Sequence, residues 1–496
     1  MVITATERTQ MMYLVVGMFN AAPGATYLNE ISNEVMKGVS IGGDLAEGLA
    51  QSTQFKALYP DFQTSNEFAV AFADNLLGNT VTAAAKTEAV TAIQAGLDAG
   101  KSKASMIVET ILNLFTVGVA DAKWGNALIA LNNKVDVAEW FSIEKAVSTE
   151  KVSELQLILS TVTEDPATAT AAKDDKNLPG VTGTFTTDLD SLEGSSGSDQ
   201  FSGVIDATGT IQVGDSLDAG GSYDTLRVVA ISGGLDTTLT NVTNVEEVVI
   251  TESSATDKTH DLSTITGLEK LSLNSPGATA KTTTIGGFAT SVDFTMTGQA
   301  GGNVVLDYSD AAVTGDQTAK VLIKSAIGGD ITAAGIEIVE LTTEGSATSA
   351  LGNLTFADAK SISVIGTTNV TGAITTTVAD ATLILSGSGK VILGALDVDI
   401  DTVTATDNTG GVELTLDAEK NPQVSLGTGD DKVTTAATYA AIATDTALIA
   451  AGEGTDTLTV SASGHLSTAG HFTGFENLVL VNGVTVDMDN ISGITA

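Results

Sequence analysis

From about residue 196 onward, short runs rich in β-branched residues recur every 17 to 27 residues. They include Val245–Ile250, Leu268–Leu273, Val292–Met296, Val321–Ile323, Ile336–Leu341, Ile362–Val364, Leu383–Leu385, Val398–Ile400 and Phe475–Leu480. In Val292–Met296, Ile362–Val364 and Val398–Ile400 apolar and polar residues alternate, which is the pattern of a strand with one buried face. A unit this short cannot bury that face alone, but stacked copies of it can. The connections are rich in Gly, Asn, Asp and Thr, and the whole chain has only 6 prolines. The pattern predicts a parallel β-solenoid. Tandem β-sandwiches are the alternative, with turn signals every ~8–12 residues.

Residues 1–165 follow a different period. Met11, Met12, Val15, Met18 and Phe19 fall at helical spacing, as do Phe68, Phe72, Leu76 and Leu77. The second group follows Thr64-Ser65-Asn66-Glu67, which matches a capping box. Ile107, Ile111, Leu114 and Phe115 form a third stripe, Leu128 and Leu131 a shorter one, and Val152, Leu155, Ile158 and Leu159 the last. These stripes predict the core of a compact multi-helix domain. Residues 166–196 lack sustained periodicity and read as a linker, leaving 197–496 as the β domain. The expected class is therefore multidomain, all-α and then β.

Charge narrows the function. The chain has 496 residues with 61 acidic and 22 basic side chains, a formal charge of −39. Arg8 and Arg227 are its only arginines. Nucleic-acid binding needs cations to displace phosphate counterions, so nucleic acid is excluded as a partner. An anionic bilayer would repel the chain unless divalent ions intervened, and self-repulsion of this size opposes compaction until cations relieve it. There is no cysteine, so disulfides and thiolate chemistry are both absent. Met1 to Gln10 lack a basic segment followed by an apolar run, so no cleavable secretory signal is expected. No apolar stretch of about 18 residues occurs, so no transmembrane segment is expected.

Two Gly/Asp segments lie near the C-terminus: Leu426-Gly427-Thr428-Gly429-Asp430-Asp431-Lys432-Val433 and Ala451-Gly452-Glu453-Gly454-Thr455-Asp456-Thr457-Leu458. Both approximate the nonapeptide calcium repeat G-G-x-G-x-D-x-U-x. Glycine lets backbone carbonyls turn toward a cation, and aspartate adds the hard oxygens that Ca2+ prefers. Gly427, Gly429, Asp430, Asp431, Gly452, Glu453, Gly454 and Asp456 are the candidate ligands here, with Asp445 as an added oxygen. A third acidic cluster opens the β region with Asp199, Asp206, Asp215, Asp218 and Asp224, ending in the degenerate repeat Gly220-Gly221-Ser222-Tyr223-Asp224. Catalytic motifs are missing. His260, His465 and His471 lack zinc-protease spacing, no serine sits in G-x-S-x-G, and no carboxylate pair stands out as a glycosidase dyad. No enzyme is expected.

In these residues the chain resembles the S-layer proteins of Gram-negative bacteria, of the Caulobacter and Campylobacter type. It is also similar to the hemolysin-type (RTX) calcium-repeat group of exported proteins. The resemblance rests on Gly427 to Val433, Gly452 to Leu458 and Gly474 to Leu478, and on a second copy from Ser198 through Asp215 to Leu226. Weaker carriers in the helical half are Tyr13, Ala22 to Leu28, Leu76 to Asn79 and Trp140. The resemblance implies a secreted structural protein on the outer cell surface, exported by type I secretion with an uncleaved C-terminal signal. It implies calcium-dependent self-assembly into a two-dimensional lattice. The helical domain would anchor on lipopolysaccharide O-antigen or a capsule glycan. A secreted calcium-dependent adhesin or biofilm-matrix protein is the main alternative, and a polysaccharide-active solenoid enzyme a lesser one.

Overall fold

The computed structural model describes residues 3–494 apart from 150, 233, 236–240, 254–255, 275–280, 289, 299–301, 309–314, 325–328, 345–351, 368, 417–421, 437–447, 467–469 and 492–493. Two units emerge. One consists chiefly of the helical residues up to Thr182, the other chiefly of the β-rich remainder.

In the helical unit, α-helices run from Ala5–Phe19 to Pro166–Ala172. The first helix is central, with Met11, Met12, Leu14, Val15, Val16, Met18 and Phe19 all buried. Its entry is fixed by a capping box in which Thr4 and Glu7 satisfy each other's backbone N–H. The expected box at Thr64 and Glu67 forms in the same way. Phe55, Tyr59, Phe68 and Phe72 make a chain of ring contacts, with centroids between 4.9 and 5.9 Å apart. The helix Lys103–Val117 packs tightly against Gly17, where a Cβ would lie 2.4 Å from Ile111 Cδ1. No helix among the described residues is long and apolar enough to cross a membrane.

Two expectations need correction. The stripe places Phe115 in the core with Ile107, Ile111 and Leu114, yet it is 42% exposed while the other three are buried. It flanks the inward stripe and shares the outer side with Leu112. The 166–196 stretch is also structured. Asp165 caps the helix Pro166–Ala172 through the Ala167 N–H, and proline at the first turn suits a helix start. The strands Pro179–Thr184 and Ser191–Ser195 follow.

The β-rich unit is a parallel β-solenoid. One wall is a 14-stranded sheet, from Pro179–Thr184 to Phe472–Thr473. The facing strands form a 3-stranded sheet and then two 6-stranded sheets. The strand pairings are parallel, with register shifts where Ala381–Gly387 meets Ile400–Asn408 and where Val391–Ala395 meets Val412–Leu416. Leu226, Val248, Leu271, Phe294, Val321, Leu341, Val364 and Leu385 occupy one inward column across consecutive rungs. All eight are buried. At roughly 1.5–3 kcal/mol for each fully buried side chain of this size, such columns drive the stacking.

The outward column beside it alternates in charge. Lys270 is in register with Glu247 on one side and Asp293 on the other, and Lys320 with Glu340. Lys270 Nζ lies 2.9 Å from Glu247 Oε1, and the Lys320 N–H donates to Asp293 Oδ1 at 3.3 Å. Slippage by one rung would put like charges together, so the column favours the observed register. Lys270→Glu is expected to destabilise the solenoid by about 1–2 kcal/mol at low ionic strength. The loss should shrink in high salt, measured by urea unfolding in both conditions.

Candidate metal centre

Acidic side chains at the rung corners fall into two sets that reach in opposite directions along the stack. In the first set the carboxylate reaches back one rung and accepts a backbone N–H. Asp199 Oδ1 accepts from Val181 at 2.5 Å, and Asp224 Oδ1 from Asp199 at 2.7 Å. Near the C-terminal end, Asp431 Oδ1 accepts from Val412 at 2.6 Å, Asp456 Oδ1 from Asp431 at 2.8 Å, and Glu476 Oε2 from Asp456 at 2.8 Å. In the second set the side chain reaches forward. Asp430 Oδ1 accepts from Thr455 at 2.9 Å, and Asn303 and Asp330 do the same for Asp330 and Asn353. The adjacent pair Asp430-Asp431 therefore ties its own rung to the one before and the one after. These corner amides stand at rung junctions, where a buried unpaired N–H would be costly.

The acidic cluster that opens the β region is largely committed to this role. Asp199 is buried, and its second oxygen accepts from the Ser195 N–H. Asp215 is buried, with Oδ1 accepting from Asp190 at 2.9 Å and Oδ2 from Gln212 at 2.7 Å. Asp206 accepts from the Ala207 N–H and the Ser232 hydroxyl, and these hydrogen bonds lower its pKa, that of Ser232 first. Asp218 is exposed and accepts from Asn244 at 2.8 Å. The backbone donors on Asp199 and Asp215 occupy both oxygens of each, so these carboxylates fit a cation poorly.

Asp431 and Asp456 differ from Asp199 and Asp215. Both are buried, and the Oδ2 oxygen of each has no hydrogen-bond donor. The Gly427 backbone N–H lies near enough to the Asp431 carboxylate to favour its charged form. Burial pushes the Asp431 carboxyl up to about 6, with the neighbouring Asp456 and Asp430 charges adding to it against the Val412 and Gly427 amides. Burial likewise pushes Asp456 up to about 6, with Glu476 and Asp430 adding to it. Two uncompensated hard oxygens on adjacent rungs have the donor chemistry of a calcium site. Among the described residues no group of three or more His, Cys, Asp or Glu is placed to hold a metal ion. Further ligands there would have to be backbone carbonyls or water. Asp430 and Glu453 are exposed on the same corners, and Asp445 lies outside the described residues.

The glycines have a steric reason to be glycine. A Cβ on Gly427 would sit 2.0 Å from the Asn408 carbonyl oxygen, and one on Gly429 would sit 2.2 Å from the Gly411 nitrogen. Gly452, at φ +95, and Gly454, at φ +143, repeat this on the next rung, meeting the Gly427 and Gly429 oxygens at 2.1 and 2.4 Å. The motif thus stacks backbone directly on backbone.

All three histidines are buried. His260 Nδ1 accepts the Leu235 N–H at 2.9 Å, which leaves a proton for Nε2, 3.2 Å from Glu252 Oε2. His465 Nδ1 lies 2.8 Å from the Thr435 hydroxyl. Sequence reasoning missed Glu476 as the end of the C-terminal carboxylate column. Its place in Gly474-Phe475-Glu476-Asn477-Leu478, one unit beyond Asp456, was the available signal. No protein-family model matches the chain, and no curated protein matches it.

Proposed function

We propose that this chain is a structural protein that assembles into a calcium-dependent surface lattice, outside the cell, with the helical unit docked on a surface glycan. The observation that carries the reading is the pair of buried Asp431 and Asp456 Oδ2 oxygens without hydrogen-bond donors, in a chain of charge −39. Calcium at those oxygens would stiffen the C-terminal rungs. The acidic faces of neighbouring subunits repel until divalent ions neutralise the facing carboxylates. Calcium at the exposed corners, including Asp430 and Glu453, would allow them to pack. Extracellular calcium modules work at about 0.1–1 mM, well above cytosolic levels, so assembly would be confined to the exterior. The alternating-charge column and the rung-capping carboxylates supply a rigid frame that needs no catalytic group.

The test is negative-stain electron microscopy of purified chain in chelator and after adding calcium at about 1 mM. Ordered sheets only with calcium are expected. Monodisperse particles in both conditions would overturn the lattice and favour a calcium-dependent adhesin, and identical sheets in both would overturn the calcium mechanism.

A further inference from the structure

We propose that the groove between the helices Ala5–Phe19 and Lys103–Val117 docks a second copy of this chain, giving a two-fold dimer that needs no metal. The groove has a volume of about 640 Å³, and its walls include Tyr13, Ile41, Val108, Ile111, Leu112 and Phe115. Phe115 packs edge-on against Tyr13, with centroids 4.8 Å apart. Val108, Leu112 and Phe115 recur at i, i+4 and i+7, so they form a ridge along one helix face. Leu112 is 57% exposed and Phe115 42% exposed, and exposed Val117 and Val119 extend the apolar surface. A ridge beside a groove is self-complementary under a two-fold axis, because each copy's ridge can fill the other's groove.

Charge selects the occupant. Residues 1–182 hold 12 of the 22 basic residues but only 21 of the 61 acidic ones, so most of the negative charge lies elsewhere. None of the twelve residues lining the groove is charged. Acids close to it in sequence are engaged within their own copy: Glu7 with Thr4, Asp44 with Ser40, and Glu109 with Lys101. For two copies of a chain at −39, a charge-free apolar face is where approach meets least repulsion. Two of the four polar side chains of the groove, Thr9 and Tyr13, are turned inward. The Tyr13 hydroxyl donates to Asn132 at 2.9 Å, and the Thr9 hydroxyl to Glu139 at 3.2 Å. The apolar ridge of a second copy needs no polar partner there. The dimer stands or falls independently of the lattice, because it forms in chelator.

Sedimentation of the full chain in chelator, at micromolar concentration, is expected to show a dimer. Leu112→Glu and Phe115→Glu should each weaken it by roughly thirty-fold while leaving the helical circular dichroism unchanged. The chain has no cysteine, so a second test avoids buried-charge effects. Leu112→Cys should be cross-linked efficiently by a short bis-maleimide, and Leu157→Cys, at a position 69% exposed in the same unit, should not. A monomeric wild type, or a dimer untouched by both glutamates, overturns the proposal. Uptake of a fluorescent fatty acid by a monomeric wild type would reassign the groove to an acyl ligand.

Discussion

In chelator, lowering the pH from about 7.5 to about 5 should stabilise the C-terminal rungs, and the Asp431→Asn/Asp456→Asn variant should lose most of that gain. Both carboxyls are pushed up to about 6 in the folded chain, burial being the main cause. In the unfolded chain they return to about 3.9. The native state therefore keeps these protons where the unfolded state has released them. Protonation favours folding, and the benefit is full below the unfolded value. It is lost as pH rises from about 4 to about 6, leaving the rungs weakest at neutral pH. One unit corresponds to ~1.36 kcal/mol, so a buried carboxylate shifted by two units accounts for up to roughly 3 kcal/mol. The two are neighbours and will not add fully. Asparagine keeps an acceptor for the Val412 and Asp431 amides and cannot titrate. Alanine at Asp456 removes that acceptor, and leaving the Asp431 N–H unpaired costs about 1–3 kcal/mol at every pH. Hydrogen exchange at the Val412, Asp431 and Asp456 amides, read across pH, checks both variants. Equal wild-type and Asn/Asn profiles would contradict the assignment.

Gly427→Ala is expected to be strongly damaging to the solenoid. Its Cβ would meet two carbonyl oxygens, Asn408 at 2.0 Å and Ala405 at 2.6 Å. Both belong to backbone, so no side-chain rotation relieves the clash. Overpacking usually destabilises by about 1–3 kcal/mol, and a backbone collision of this depth should reach or exceed the top of that range. Stability in a solenoid passes between neighbouring rungs, so protease sensitivity should rise first around Gln423–Val460. Gly48→Ala, inside the helix Ala46–Ala50 with nothing within 4 Å of its Cβ, should instead be neutral or stabilising by up to about 1 kcal/mol. The Gly427→Ala loss should persist in chelator, because the clash is with carbonyls of the chain itself. A wild-type unfolding profile for Gly427→Ala would show that the rungs do not stack as described.

The solenoid was legible because its signal is repeated. Runs such as Val245–Ile250 and Leu268–Leu273 recur at short intervals, and each lands on a strand, Glu247–Glu252 and Lys270–Asn274. The Thr64–Glu67 box was legible because capping is local. The outward position of Phe115 was not, since a stripe containing Ile111, Leu114 and Phe115 spans more than one helix face and only the partner helix decides which residue is left out. The charge column was hidden by unequal turns. Glu247, Lys270, Asp293, Lys320 and Glu340 are 20 to 27 residues apart, so their alignment becomes visible only with the register. The aspartates were the hardest to read. An aspartate that accepts an N–H from the neighbouring rung occupies the same Gly/Asp context as one that faces a cation. Asp215 and Asp431 differ in whether a second donor, like the Gln212 N–H, reaches the other oxygen.

The most direct test of the account is the effect of calcium on stability, compared between the wild type and the Asp431→Asn/Asp456→Asn variant at about pH 7.5 and about 1 mM calcium. A cation seated on the two Oδ2 oxygens replaces the protons they lack at this pH and stabilises only the folded chain. The wild type should gain several degrees in unfolding temperature over its value in chelator. The variant, at least as stable as the wild type in chelator, gains little. Equal gains in the two proteins would place calcium elsewhere and contradict the assignment of Asp431 and Asp456.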